Sequence, residues 1–361
     1  MVPPSVEPLP LRLGYKASAE QFTPSDLIEF GVLAEQAGLD SVFISDHLQP
    51  WRHTGGHAPA AIPWLGALGA RTGRIVLGTS VLTPTMRYHP AVIAQAFGTL
   101  GALYPGRVVL GVGTGESLNE VALGIAWPDQ KERFARLKEA VLLIERLWSE
   151  DRVTHDGAYY RTENVTIYDR PDRPVPIYIG GAGPAATRLA GRIGQGFITT
   201  SGKPDELYRD ILMPAFAEGL GKRETHSPVD TMLEVKLSFD TDRERARSDT
   251  RFWGALALTP EEKTGIEDPA EMERRADALP IDRVARRWIV TDDPAEVVDA
   301  VRPYVDLGFR HLVFHAPGDD QRRFLELFGA HVAPRLRTAF RVEFSPSTTT
   351  SPAPTRTRSM R

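Results

Sequence analysis

There is no cysteine anywhere in the 361 residues. That removes disulfides, thiolate metal sites and a cysteine nucleophile together, and it fits a reducing cytoplasm. Charge bias is missing too: 43 Lys and Arg stand against 47 Asp and Glu, a formal net charge of -4. Without a global basic field, nucleic acid is not an expected partner. Long apolar runs are also lacking. None nears the roughly 20 residues a membrane span needs, so no membrane is expected either. The opening MVPPSVEPLP offers neither a charged leader nor an apolar stretch, which predicts no secretory signal. No internal repeat and no Pro/Gly/Ser linker cuts the middle of the chain. The expectation is a globular, cytoplasmic protein.

What is present is 42% hydrophobic residues arranged in short bursts. Apolar runs fall at Leu11–Tyr15, Ser41–Ser45, Ile75–Thr79, Val108–Val112, Pro176–Gly180, Gly196–Thr199, Met232–Phe239 and His311–His315. Most are continuous rather than alternating, as strands covered on both faces are. Helical patterns lie between them. SDLIEFGVLAEQAG follows Thr23-Pro24, a cap and a first-turn proline, and closes on Gly38. PAVIAQAFGTLGALYPG stops at Pro-Gly, KERFARLKEAVLLIERLW is the longest amphipathic stretch, and PAEVVDAVRPYVDLGF leads into the last run. Eight strands with intervening helices predict an α/β fold, a (β/α)8 TIM barrel with insertions, ahead of an open doubly wound sheet. Residues 151–174 read as an inserted β-hairpin and 240–290 as a charged, largely helical insertion. Residues 1–10 and 344–361 read as disordered tails, leaving 11–343 as a single catalytic domain.

A barrel of this kind keeps its site at the C-terminal ends of its strands. Those ends carry Asp46-His47 after strand two, Thr79 to Thr85 after three, Gly111 to Glu120 after four, Gly180 to Ala186 after five and Thr199 to Lys203 after six. Together they outline one pocket. GVGTGE contains G-x-G-x-G after a strand, but the spacing is not that of a dinucleotide fingerprint and no acid ends the following strand. Its glycines read either as a tight turn or as backbone set flat against a ring, with Glu116 and Asn119 beside it. The GGAGP turn opens a helix whose amides suit a phosphate or carboxylate.

His47, His53 and His57 share one loop and could converge on a metal, yet the loop adds no carboxylate beyond Asp46. Structural hydrogen bonds are the better account of His53 and His57, and no metal site is expected. His47 differs because it ends a strand, where it can act as a general acid or base. Lys203, Lys263 and Arg287 each read singly as solvated charges, with Lys203 the best placed to meet an anion. Trp51 alone reads as a rim aromatic filling space.

Several longer strings carry more than these separate readings. LGYKASAEQF, SDHLQPWRHTGGHAP, LGTSVLTPTMRYHPAVIAQAF, LGVGTGESLNE, TSGK, ALPIDRVARRWIV and HLVFHAPGDDQRRFLELF closely resemble the F420-dependent glucose-6-phosphate dehydrogenases of the luciferase-like superfamily, from about Leu11 to Thr338. The resemblance implies a (β/α)8 barrel, a homodimer and coenzyme F420 with its oligoglutamate tail. It implies oxidation of glucose 6-phosphate to the lactone, with hydride passing from sugar C1 to C5 of the deazaflavin. Matching positions give cofactor contacts at Asp46, Thr83, Thr114, Gly115, Asn119, Ala182, Gly183, Ala185 and Ala186. Catalytic roles fall on His47 and Glu116, with Trp51 over the reacting centre. Phosphate binding falls on Thr200, Lys203, Lys263 and Arg287. A non-proline cis peptide is implied at Ser80–Val81. Thr264 departs from the family, which carries histidine there, and the loop after Asn119 is slightly shorter. Glu116 is favoured to take the sugar proton and His47 to donate toward the cofactor; the reverse assignment stays open.

Overall fold

The computed structural model describes residues 9–225 and 227–341. The expected tails lie outside that range, apart from Leu9 and Pro10, as do the last two residues of the expected 11–343 domain. Strands form in chain order as β1 (Arg12–Ala17), β2 (Ser41–Ile44), β3 (Val76–Thr79), β4 (Val108–Val112), β5 (Val153–Asp156), β6 (Arg161–Val165), β7 (Ile177–Gly180), β8 (Gly196–Thr200), β9 (Asp230–Phe239), β10 (Ile289–Thr291) and β11 (His311–His315). Parallel pairing runs β1–β2–β3–β4–β7–β8–β9–β11 and returns to β1. The sheet is therefore a closed barrel, and the open-sheet alternative is excluded. Each of the eight apolar runs became one of these barrel strands, two with the same bounds and the others moved by no more than two residues at either end.

Several of the helices between them start where a neighbouring side chain supplies a partner for the first amides. Thr23 Oγ1 accepts from Asp26 N at 3.2 Å and opens Pro24–Gln36, which ends before Gly38 at φ +82°. Asp129 does the same for Gln130–Ser149, accepting from Glu132 N at 2.8 Å. The inserted hairpin is β5 paired antiparallel with β6. The 240–290 insertion is mostly short helices, and at its end begins the unforeseen β10, which pairs parallel beside the last residues of β9, with Ile289 opposite Leu237. Among the described residues no helix is long and apolar enough to cross a membrane.

Alternate residues of each strand point into the barrel, so the interior reads as layers. The middle layer is apolar, with Phe43, Val109, Tyr178, Ile198, Met232 and Val313 packed together. Gly78 leaves room for it, since a Cβ there would stand 2.4 Å from the Phe43 ring. Below lies a sealed polar layer. Ser41 Oγ is 2.7 Å from His311 Nε2, and His311 Nδ1 is 2.8 Å from Asp230 Oδ2. Arg12 pairs with the same carboxylate and reaches the Tyr178 hydroxyl at 3.3 Å. This has the order of a serine–histidine–aspartate relay, but Ser41 is 1% and His311 0% exposed, so no substrate reaches it. Its work is to satisfy buried polar groups. The upper layer is polar and open, with Lys16, Ser45, Ser80, Thr200, Glu234 and His315 on its inward positions.

Candidate active site

The upper layer is the floor of a cavity of about 440 Å³ whose wall includes Trp51, Glu116 and the ends of most barrel strands. Its geometry begins with the loop after β2. Asp46 is buried, and both its carboxylate oxygens are engaged within the protein. Oδ1 accepts from Ala61 N at 3.0 Å, serving the helix Ala61–Arg71, which has no side-chain cap of its own. Oδ2 pairs with Arg87 Nη2 at 2.7 Å. Arg87 also holds the fully buried Glu120 at 2.6 Å. One guanidinium thus ties the end of β2 to the turn after β4. Asn119 strengthens the same link, since its Oδ1 accepts from Leu48 N at 2.8 Å and Gln49 N at 3.1 Å.

This bracing sets the next side chain. His47 Nδ1 lies 3.0 Å from Glu20 Oε1, and Nε2 lies 3.9 Å from Glu116 Oε2. Glu20 is buried and accepts from Ser45 Oγ at 2.7 Å. The imidazole therefore stands between a buried carboxylate and a cavity-facing one, with Nε2 turned toward the latter. Trp51 meets His47 edge-on at 5.9 Å between ring centres, and Lys263 Nζ lies 4.7 Å from the Trp51 ring centre. His53 and His57 are not in the cavity wall, so the three histidines of this loop do not converge.

One wall is backbone. The Ser80–Val81 peptide is cis, as the resemblance implied. A Cβ on Gly113 would come within 2.6 Å of the Val81 side chain, and one on Gly180 within 3.0 Å. Gly115 holds φ +84°. Glycine here keeps the wall flat and close, which fits a planar ring. Thr83, Thr114, Gly115 and Ala182 line this side of the cavity, whereas Gly183, Ala185 and Ala186 open the helix Pro184–Ile193 beyond it.

The opposite end gathers cations. Thr200, Lys203, Lys263 and Arg287 all line the cavity, although three of them come from separate segments. Among the described residues, no carboxylate lies within ion-pair distance of Lys203, Lys263 or Arg287. Burial lowers the Lys203 pKa, and Arg287 and Lys236 lower it further. Burial also lowers Lys263 against the opposing effect of Glu116, with Arg287, Lys236 and Lys203 adding to the fall. Such mutual repulsion without an anion marks a site built for a multiply charged one. The positions are anchored locally. Lys263 ends the short helix Pro260–Lys263, which is opened by a capping box between Thr259 and Glu262. Arg287 donates from Nε to Leu256 O at 3.1 Å and from Nη1 to Gly202 O, where the chain turns at φ +75°. A second cavity of about 610 Å³ adjoins the first, sharing Trp51, Glu116 and the three cations and lined further by Leu258, Ile266 and Met272. Thr264 is exposed, bonds to Pro260 O at 2.9 Å, and lines neither cavity.

Six ionisable side chains of this region went unmarked in the sequence: Lys16, Glu20, Arg87, Glu234, Lys236 and His315. Glu234 and Lys236 had a usable signal. Opposite charges two apart in the buried strand DTMLEVKLSF must share one of its faces, and here that is the inner one.

Comparison with known proteins places this geometry in context. A family model described as luciferase-like monooxygenase matches residues 9–311. A protein of Nakamurella multipartita named F420-dependent glucose-6-phosphate dehydrogenase is 69% identical over 331 residues, covering 91% of this chain and 98% of the relative. One of the same name from Microbacterium testaceum is 63% identical, covering 92% and 99%. Among solved structures, an F420-dependent secondary alcohol dehydrogenase bound to an F420–acetone adduct is 31% identical, with a TM-score of 0.85 over 91% of this chain and 100% of that one. The F420-dependent tetrahydromethanopterin reductase of Methanopyrus kandleri, at 21% identity and a TM-score of 0.76 over 91% of this chain and all of that one, shares the fold.

Proposed function

We propose that this chain, which belongs to the luciferase-like monooxygenase family, oxidises glucose 6-phosphate to 6-phosphogluconolactone with coenzyme F420 as acceptor. Within that family its relatives at 60% identity and above carry this activity in their names. The observation that carries the substrate is the unpaired group Lys203, Lys263 and Arg287, in the same cavity as His47 and Glu116. A neutral secondary alcohol would have nothing to offer three cations. A sugar phosphate has a dianion at one end and the oxidisable carbon at the other.

Coenzyme F420, when bound, supplies the hydride acceptor. Thr83, Thr114, Gly115 and Ala182 would hold its ring side, with Asp46 and Asn119 at the edge. Gly183, Ala185 and Ala186 begin a helix whose free amides would receive its anionic part. Thr200, Lys203, Lys263 and Arg287 hold the phosphate and thereby orient C1, using binding energy remote from the chemistry. Glu116, at the cavity mouth, takes the proton from the C1 hydroxyl. His47 holds a proton at Nε2 toward the cavity while Glu20 supports its Nδ1 side. Trp51 covers the reacting centre, and its ring face suits developing positive charge. Assembly as a homodimer belongs to the same reading on the strength of the family resemblance, and a cytoplasmic setting on the absence of cysteine.

The substrate half is tested by Lys203→Ala and Arg287→Ala. Removing one charged partner costs about 1.5–3 kcal/mol, so KM for glucose 6-phosphate should rise roughly 10- to 150-fold. F420 affinity, followed by fluorescence quenching, should stay near the parent value. Loss of F420 affinity with KM unchanged would reverse the two halves of the pocket.

A further inference from the structure

We propose that His315, Lys236 and Glu234 form a third subsite on the barrel floor that reads the secondary hydroxyls of the sugar phosphate. It rests on the substrate reading above and deepens it, because neither the reacting pair nor the cation group distinguishes one hexose phosphate from another.

His315 is 2% exposed and lines the cavity, yet neither ring nitrogen has a hydrogen-bond partner among the described residues. Its ring packs edge-on against Trp253 at 4.4 Å and Trp288 at 5.1 Å, and the carboxylate beside it, Glu234 Oε1, stands 3.7 Å from Nδ1, beyond hydrogen-bond reach. Burial holds the imidazole neutral, with its pKa pushed down to about 3. A neutral imidazole presents one donor and one acceptor, and a hydroxyl is both.

Lys236 is buried beside it. Among the described residues its ammonium has one carboxylate partner, Glu234 Oε1 at 3.1 Å, which leaves donors over for the cavity. Glu234 Oε2 lies 3.6 Å from Lys16 and 3.4 Å from Ser80 Oγ. The floor therefore runs from the cis Ser80–Val81 wall to the cation group, whose Lys203 and Lys263 feel the charge of Lys236. A ligand stretched from Glu116 to Lys203 passes over it. Buried ion pairs and unpartnered imidazoles are costly, and apolar side chains of similar volume would fill the same space at less expense in stability. A polyol edge gives these groups the partners they lack.

The test compares glucose 6-phosphate with its 2-deoxy, 3-deoxy and 4-deoxy analogues and with inorganic phosphate. Binding is read from tryptophan quenching and, separately, kcat/KM from F420 bleaching, in the parent, His315→Phe and Lys236→Met. The parent should bind at least one deoxy analogue roughly 10- to 100-fold more weakly. Either variant should weaken glucose 6-phosphate similarly while leaving that analogue little changed. Inorganic phosphate and F420 affinities should stay within about threefold. A parent that binds all the analogues equally overturns the subsite without recourse to any variant. So does equal weakening of every sugar phosphate and of inorganic phosphate, which would make Lys236 one more phosphate ligand. Loss of F420 affinity with discrimination intact would assign the floor to the cofactor instead. If the parent binds glucose 6-phosphate but never bleaches F420, the proposed function fails, and the binding series still decides the subsite.

Discussion

Single residues divide here into those that face the cavity and those that aim them. Glu116 is of the first kind: its side chain is 45% exposed at the cavity mouth, near His47. Glu116→Gln keeps the shape and removes the base, so turnover should fall about 10²- to 10⁴-fold with F420 affinity unaltered. Stopped-flow bleaching and fluorescence titration measure the two, and unchanged turnover would take Glu116 out of the chemistry. Arg87 is of the second kind. Arg87→Met strands the buried carboxylates of Asp46 and Glu120 without their cation, a cost of about 3–5 kcal/mol to be read from urea unfolding. A loss under about 1 kcal/mol would mean the bracing is dispensable. The sequence marked His47 and Glu116 because strand ends are where barrels keep their chemistry. It could not mark Arg87, whose partners lie 41 and 33 residues away with no local pattern joining them. Nor could it foresee that the side-chain oxygens of Asp46 and Asn119 would be taken up by backbone amides and Arg87.

Elements were easier to read than pairs of residues. β1 to β4 are short apolar runs, and helices such as Pro24–Gln36 announce themselves through Thr23 and Pro24. The helix Ala61–Arg71 does not, because its first amide is served by Asp46, 15 residues back at the start of the same connection, rather than by its own cap. β9 was visible as a strand, but its inward charges were passed over because burial was read from apolar content. Those charges have a consequence at the level of the strands that carry them. Burial holds His315 on β11 neutral, with its pKa at about 3 against an ordinary 6.5. As pH falls below 6.5 the unfolded chain takes up a proton that the folded one refuses, so stability drops through the window from 6.5 toward 3. Burial would raise Glu234 on β9, but Lys236 and Lys16 outweigh it and hold the carboxyl below its usual range. Its contribution is complete above its ordinary value of 4.5 and is lost on further acidification. Urea midpoints should therefore decline first between pH 6.5 and 4.5, and His315→Phe should flatten that upper part. A slope unaltered by the substitution would show that the histidine is protonated inside the fold.

At the scale of the whole molecule, barrel closure brings strand ends from residue 16 to residue 315 around one cavity, and the 240–290 insertion delivers Lys263 and Arg287 to meet Lys203 there. The closed (β/α)8 architecture was readable because eight buried runs alternated with helical patterns. The meeting of Lys203, Lys263 and Arg287 was not, since each alone is an ordinary surface-type charge, and only the family resemblance joined them. The central claim is that one cavity holds a sugar phosphate across from F420. The most direct measurement mixes the purified protein with glucose 6-phosphate and oxidised F420, with FMN and NADP⁺ as parallel acceptors, and follows the deazaflavin absorbance. The account predicts bleaching of F420 alone, dependent on the sugar phosphate. Reduction of FMN or NADP⁺ instead, or no bleaching while F420 is demonstrably bound, would contradict it.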